Sequence, residues 1–112
     1  MLLKYKKLIL SEIFRYIEKE DCIVFLFGSF AEGNPQRSSD IDVGILYNLS
    51  VSDKNFVEAC EAVENVVPTL RHIELVDFNS VDKKIKAEAI KEMKIWHIGK
   101  NCRELLKNLK QV

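Results

Sequence analysis

The chain has no excess of either charge, no long apolar run and no closely spaced cysteine pair. Seventeen lysines and arginines oppose seventeen aspartates and glutamates. No global field therefore favours nucleic acid, and neither an autonomous polymerase nor a strong nucleic-acid binder is expected. A balanced chain can still hold a small anionic substrate at a local site. No apolar stretch approaches the roughly 18 residues that would suggest a membrane span. The opening MLLKYKKLIL interleaves apolar and basic residues, which does not read as a signal peptide. Cys22, Cys60 and Cys102 form no CxxC pair. An odd, scattered set suits reduced core thiols in a cytoplasm better than disulfides or a zinc site. Internal repeats, low-complexity tracts and linkers are also missing.

What is there reads as one domain spanning residues 1–112, with an ordinary globular balance of 47% hydrophobic and 30% charged residues. Leu2, Tyr5, Ile9, Ile13, Tyr16 and Ile17 recur at helical spacing, predicting an amphipathic helix over 2–19. The apolar run 22–27 predicts a buried strand, ended by a glycine. A polar, turn-rich stretch follows over 28–39. Residues 40–47 predict a second strand, with Asp40, Asp42 and Gly44 on one face and Ile41, Val43 and Ile45 on the other. Ser52 or Asp53 is expected to cap a helix whose inner stripe is Phe56, Val57, Cys60, Val63 and Val67. A third strand is predicted over 72–78. A helix opened by Ser80 should run to about residue 91, with Val81, Ile85, Ala89 and Ile90 inward. Residues 93–98 suggest a short edge strand and 100–110 a last helix. The expected class is α/β (α+β): a small mixed sheet with helices packed on its apolar face. Its acidic face is either open or covered by something else.

Two motifs carry chemistry. Asp40 and Asp42 lie two apart on a strand, so both carboxylates point to one side and can share a hard cation. Like charges this close repel unless a cation neutralises them. Gly28 lets the chain turn sharply where the first strand ends, and Ser29 offers a hydroxyl and an amide to phosphate oxygens. Each motif alone is weak, because acidic pairs often stay solvated and Gly-Ser turns are common. Joined by a short loop on neighbouring strands, they supply what phosphoryl transfer needs: metal ligands beside phosphate donors. A third carboxylate on an adjacent strand would complete the set.

Gly28-Ser29, ten residues, then Asp40-Ile41-Asp42 resembles the signature of the DNA polymerase beta-like nucleotidyltransferase superfamily. The chain length is similar to that of its minimal members, the MNT domains. The later His72-Ile73-Glu74-Leu75-Val76-Asp77-Phe78-Asn79 resembles their third-carboxylate strand. The resemblance implies magnesium-dependent transfer of AMP from ATP to a hydroxyl, with two Mg2+ ions as the expected cofactors. It implies that Gly28 and Ser29 bind the triphosphate and that Asp40 and Asp42 hold metal. For the third carboxylate Glu74 aligns better than Asp77, although the strand's pattern leaves both open. Where similar proteins read Gly-Ser-x-Ala-Arg-Gly, this chain has Glu32 in place of the arginine. Arg37 is the substitute cation considered. Minimal members resemble antitoxins that adenylylate, or simply bind, a HEPN-type partner protein, so such a partner is expected; whether homo- or hetero-oligomers form is left open. The alternatives are a contact-only binding module, which Glu32 favours, and transfer to a small molecule, for which the chain looks too short. His72 and His97 are read as structural, Trp96 and Phe30 as core or interface residues before adenine-stacking ones, and 100–110 as a solvated helix.

Overall fold

A computed structural model describes residues 3–33 and 40–110. The described residues form helices α1 (Leu3–Ile13), α2 (Asp53–Val66), α3 (Lys83–Glu92) and α4 (Arg103–Lys110), with strands β1 (Cys22–Phe27), β2 (Ile41–Tyr47), β3 (Ile73–Asp77) and β4 (Lys94–Ile98). The strands make one sheet in the order β3-β2-β1-β4. β1 pairs antiparallel with β2 and β4, whereas β2 and β3 run parallel. The sheet is mixed because a parallel pair needs a crossover, which α2 provides, and an antiparallel pair does not.

Strand alternation sorts the apolar residues into two cores. Val24, Leu26, Ile41, Val43, Ile45, Ile73 and Leu75 face α1 and α2, meeting Ile9, Ile13, Ala59 and Val63. Ile23, Phe25, Leu46 and Phe78 face the other way and pack with Ala89, Cys102 and Leu109 of the C-terminal half. The second face is thus covered over most of its area and left open at its acidic end. Gly44 shapes that floor. A Cβ there would fall on the rings of Phe25 and Phe78, which meet edge-to-face at 4.7 Å. Phe27 meets Phe78 at 4.9 Å in the same manner. Such tilted pairs add specific aromatic attraction to the burial of area.

Four sequence expectations shift. The first helix ends at Ile13 rather than near 19, because its bonds tighten there. Tyr16 N–H donates to Ile13 O at 3.1 Å, and Glu18 caps a separate 3₁₀ turn at Lys19–Asp21. Ile17 stays buried, so the apolar period outlasts the helix. Ser52 caps α2, as one of the two expected residues, but Val57 is 52% exposed. α3 is capped by Asp82, whose carboxylate accepts from Ile85 N–H at 2.9 Å, and not by Ser80. Ser80 is held in the preceding turn, where its hydroxyl donates to Asp77. Ile85, expected inward, is 49% exposed.

Candidate active site

β1 ends at Phe27, and Gly28 takes φ +75°, a left-handed conformation that side chains rarely tolerate. Residues Gly28–Phe30 then form one 3₁₀ turn, with Glu32 N–H donating to Gly28 O at 3.1 Å. Ala31 is buried in the core and anchors the turn. A Cβ on Gly28 would fall on Asp42 Oδ2. The turn and the acidic strand are therefore in direct apposition, and glycine is what permits it.

The parallel register sets Asp42 opposite Glu74. Ile73 and Leu75 are buried in the α1/α2 core, which puts Glu74 on the same face as Asp42. Ile41 N–H donates to His72 O at 2.9 Å, bringing His72 level with Asp40. Donor atoms of Asp40, His72 and Glu74 lie within 4.8 Å of one another, and all three residues are exposed. Asp42 is half-buried beside them. Burial first, then the charges of Glu74 and Asp40, push its carboxyl up to about 6, with His72 opposing. Partial burial therefore does most to raise this carboxyl, and the neighbouring acids add to it.

Asp77 lies at the other end of β3, opposite Ile45. The Tyr47 hydroxyl donates to its Oδ2 at 2.6 Å and Asn79 N–H to its Oδ1 at 2.9 Å. Glu74, and not Asp77, is brought to Asp40 and Asp42. Arg37 lies outside the described residues. Arg71 was not singled out from the sequence; its guanidinium stands 4.9 Å from the centroid of Phe30, the residue closing the 3₁₀ turn. His72, which sequence pattern alone reads as structural, stands beside the acids, and Glu64 is its partner. Glu64 Oε1 meets His72 Nδ1 at 2.8 Å, and Glu64 Oε2 accepts from Ile73 N–H at 3.2 Å. That contact pulls the His72 pKa up and the Glu64 pKa down. The missed signal was available: His72 and Glu74 are two apart on a strand, as Asp40 and Asp42 are.

His97, Trp96 and the cysteines are structural. His97 Nε2 bonds Lys19 O at 2.6 Å and its ring packs on Phe14. Trp96 packs against the core. All three cysteines are free, and burial pushes the Cys22 thiol up to about 12.

Three carboxylates on one face, beside a glycine turn, make a donor set of hard oxygens. The polymerase beta nucleotidyltransferase family matches over residues 11–97. The chain belongs to that family. No curated protein matches this nucleotidyltransferase by sequence. Among solved structures it is similar to a chain of a toxin–antitoxin complex with AMP-PNP, at 20% identity and TM-score 0.73, covering 95% of this chain and 84% of the other. It is also similar to a chain of the tri-AMPylated Shewanella oneidensis HEPN toxin in complex with its MNT antitoxin. That match has 18% identity and TM-score 0.71, covering 99% and 86%. At these identities the likeness is one of fold. Within the nucleotidyltransferase fold, the donor set suits the divalent ion the family implies. Hard divalent ions take oxygen ligands from one or two carboxylates and from substrate phosphates, and Asp40, Asp42 and Glu74 offer such oxygens on one face.

Proposed function

We propose that this chain is a magnesium-dependent adenylyltransferase that moves AMP from ATP to a hydroxyl of a HEPN-type partner protein, acting as its antitoxin. The observation that carries the reading is the register of Asp42 against Glu74, with Asp40 on the same face and Gly28 pressed against Asp42. Asp40, Asp42 and Glu74 would hold the metal, as two ions when both are bound. When bound, the metal neutralises charge on the triphosphate and on the acceptor oxygen. Gly28 and Ser29 would hold the phosphates through backbone and hydroxyl donors. Arg37 would add a cation toward the phosphates.

In the transfer, the acceptor oxygen attacks the α-phosphorus of ATP. The bond from that phosphorus to the oxygen bridging it to the β-phosphate breaks, and pyrophosphate leaves with the bonding electrons. The hydroxyl proton passes to a carboxylate on the open face, for which Glu74 is the candidate, and thence to water. The solved toxin–antitoxin structures, one with AMP-PNP and one with a tri-AMPylated toxin, support the nucleotide and the partner class. A cytoplasmic location is supported by three free cysteines in a chain whose described helices include none long and apolar enough to cross a membrane.

Incubation with α-labelled ATP, Mg2+ and the HEPN-type partner tests the reading. Label on the partner, lost in the Asp40→Ala plus Asp42→Ala variant, is the expected result. Equal labelling by that variant would overturn it. The second reading is neutralisation by contact alone, favoured by Glu32, an exposed acid at the position where the family resemblance implies arginine. Inhibition of the partner that needs neither ATP nor Mg2+ would support that reading.

A further inference from the structure

A ring nitrogen of His72 lies within 4.8 Å of carboxylate oxygens of both Asp40 and Glu74, so the acidic face carries a nitrogen donor among its oxygens. Glu64 of α2 fixes that ring. Its Oε1 meets His72 Nδ1 at 2.8 Å, and its Oε2 accepts from Ile73 N–H at 3.2 Å, so one carboxylate ties down both side chain and backbone. An ionised carboxylate can only accept, so Nδ1 carries the proton and the neutral ring keeps its lone pair on Nε2. A histidine that ligates metal almost always has its other ring N–H held in this way.

We propose that His72 Nε2 is a nitrogen ligand of the metal held by Asp40 and Glu74, with Glu64 as its positioning residue, so that the site prefers a first-row transition ion to Mg2+. A metal with bonds of about 2.0–2.2 Å spaces its ligand atoms about 3–4 Å apart, and small rotations of these exposed side chains close the set. Imidazole suits transition ions, whereas Mg2+ favours oxygen alone. Mg2+ remains a competent ion, bound through the carboxylates and the substrate phosphates. Charge compensation does not account for the ring equally well. One imidazole already bonded to Glu64 cannot also neutralise Asp40, Asp42 and Glu74, whereas a divalent ion among them uses each donor. The inference rests on the reading of the acidic face as a metal site, but ligation by His72 needs neither ATP nor the acceptor.

Co2+ is the probe, because an imidazole bound to it shows a strongly shifted, solvent-exchangeable N–H proton resonance. The other histidine, His97, is committed to Lys19 O. The full chain with one equivalent of Co2+ should show one such resonance, and His72→Gln should lose it. By calorimetry the parent should bind Co2+ at least about tenfold tighter than Mg2+. His72→Gln should weaken Co2+ about tenfold and Mg2+ less than about threefold, which removes that preference. Glu64→Ala should weaken Co2+ about tenfold. Glu64→Gln, whose amide oxygen still accepts from Nδ1, should restore most of that loss. Both side chains are exposed, so the melting temperature should stay in place in all of these variants. Absence of the shifted resonance, equal losses for the two ions in His72→Gln, or Co2+ affinity indifferent to Asp40→Asn would each overturn the proposal. The resonance without AMP transfer would sink the enzymatic reading and leave the ligand standing; transfer with Mg2+ and no resonance would do the reverse.

Discussion

β2 and β3 run side by side and carry acids at both ends, with opposite consequences. At the far end, Asp77 is saturated. It accepts from the Tyr47 hydroxyl, from Asn79 N–H and from the Ser80 hydroxyl. Asn79 in turn clasps Tyr47, accepting from its N–H at 3.0 Å and donating to its carbonyl at 2.8 Å. This knot closes the chain reversal after β3, and burial plus the Asp77 contact push the tyrosine hydroxyl above its usual range. At the near end, Asp40, Asp42 and Glu74 crowd together on one face. A fold that merely tolerated acids would disperse or bond them. The near end concentrates carboxylates with fewer bonded partners, the kind of arrangement in which a bound cation would lower the repulsion.

The largest expected effect comes from breaking the near end. Asp42→Asn should reduce AMP transfer on the order of a thousandfold, the scale lost when a principal electrostatic group of phosphoryl transfer is removed. Its thermal midpoint in EDTA at pH 7 should be no lower than that of the parent, since a repelled charge is gone. A midpoint several degrees lower would show Asp42 to be structural. Gly28→Ala comes next. Its methyl group must displace the Asp42 carboxylate and adopt a left-handed φ. Transfer should fall about a hundredfold, as for a small misplacement of reacting groups, with about 1–2 kcal/mol of stability lost to backbone strain.

Protons should compete with metal at the same carboxylate. Asp42 titrates near 6 in the metal-free chain, so Mg2+ affinity measured by calorimetry should fall by up to about tenfold per pH unit below that value. The linkage sign is fixed by the direction of the shift. A raised folded pKa gives stability that is complete below the ordinary carboxylate range and is lost as pH rises through about 6. Metal-free protein should therefore gain more from added Mg2+ at pH 7 than at pH 5, and an equal gain at both would count against a charged, crowded Asp42. The smallest effect belongs to the far end. Tyr47→Phe should cost about 1.5–3 kcal/mol in urea unfolding, the range for a hydrogen bond to a charged group, while transfer per folded molecule changes less than about twofold.

Much of this was legible in the sequence, and the limits have physical causes. The β1 and β2 strands were readable because their apolar runs are bounded by a glycine and an acidic pair. β3 was readable as a strand, yet its inward face was not, since apolar residues occur at both parities: Ile73 and Leu75 on one, Val76 and Phe78 on the other. Ile73 and Leu75 are buried against one layer of helices while Val76 and Phe78 pack on the opposite side, and tertiary pairing with β2 is what assigns the exposed Glu74 to Asp42. Helix ends shifted where a competing local bond took over, at Ile13 and at Asp82. Glu64 and Arg71 reach the site region from α2 and from the approach to β3. Contacts across such sequence separation leave no periodic trace.

The contrast between the two ends of β3 is tested most directly by one paired assay. Transfer of label from α-labelled ATP to the HEPN-type partner is measured for Glu74→Gln and Asp77→Asn, each normalised to folded protein. The account predicts a loss on the order of a hundredfold or more for Glu74→Gln and less than about threefold for Asp77→Asn. The opposite order, with Asp77→Asn inactive and Glu74→Gln near parental, would contradict it.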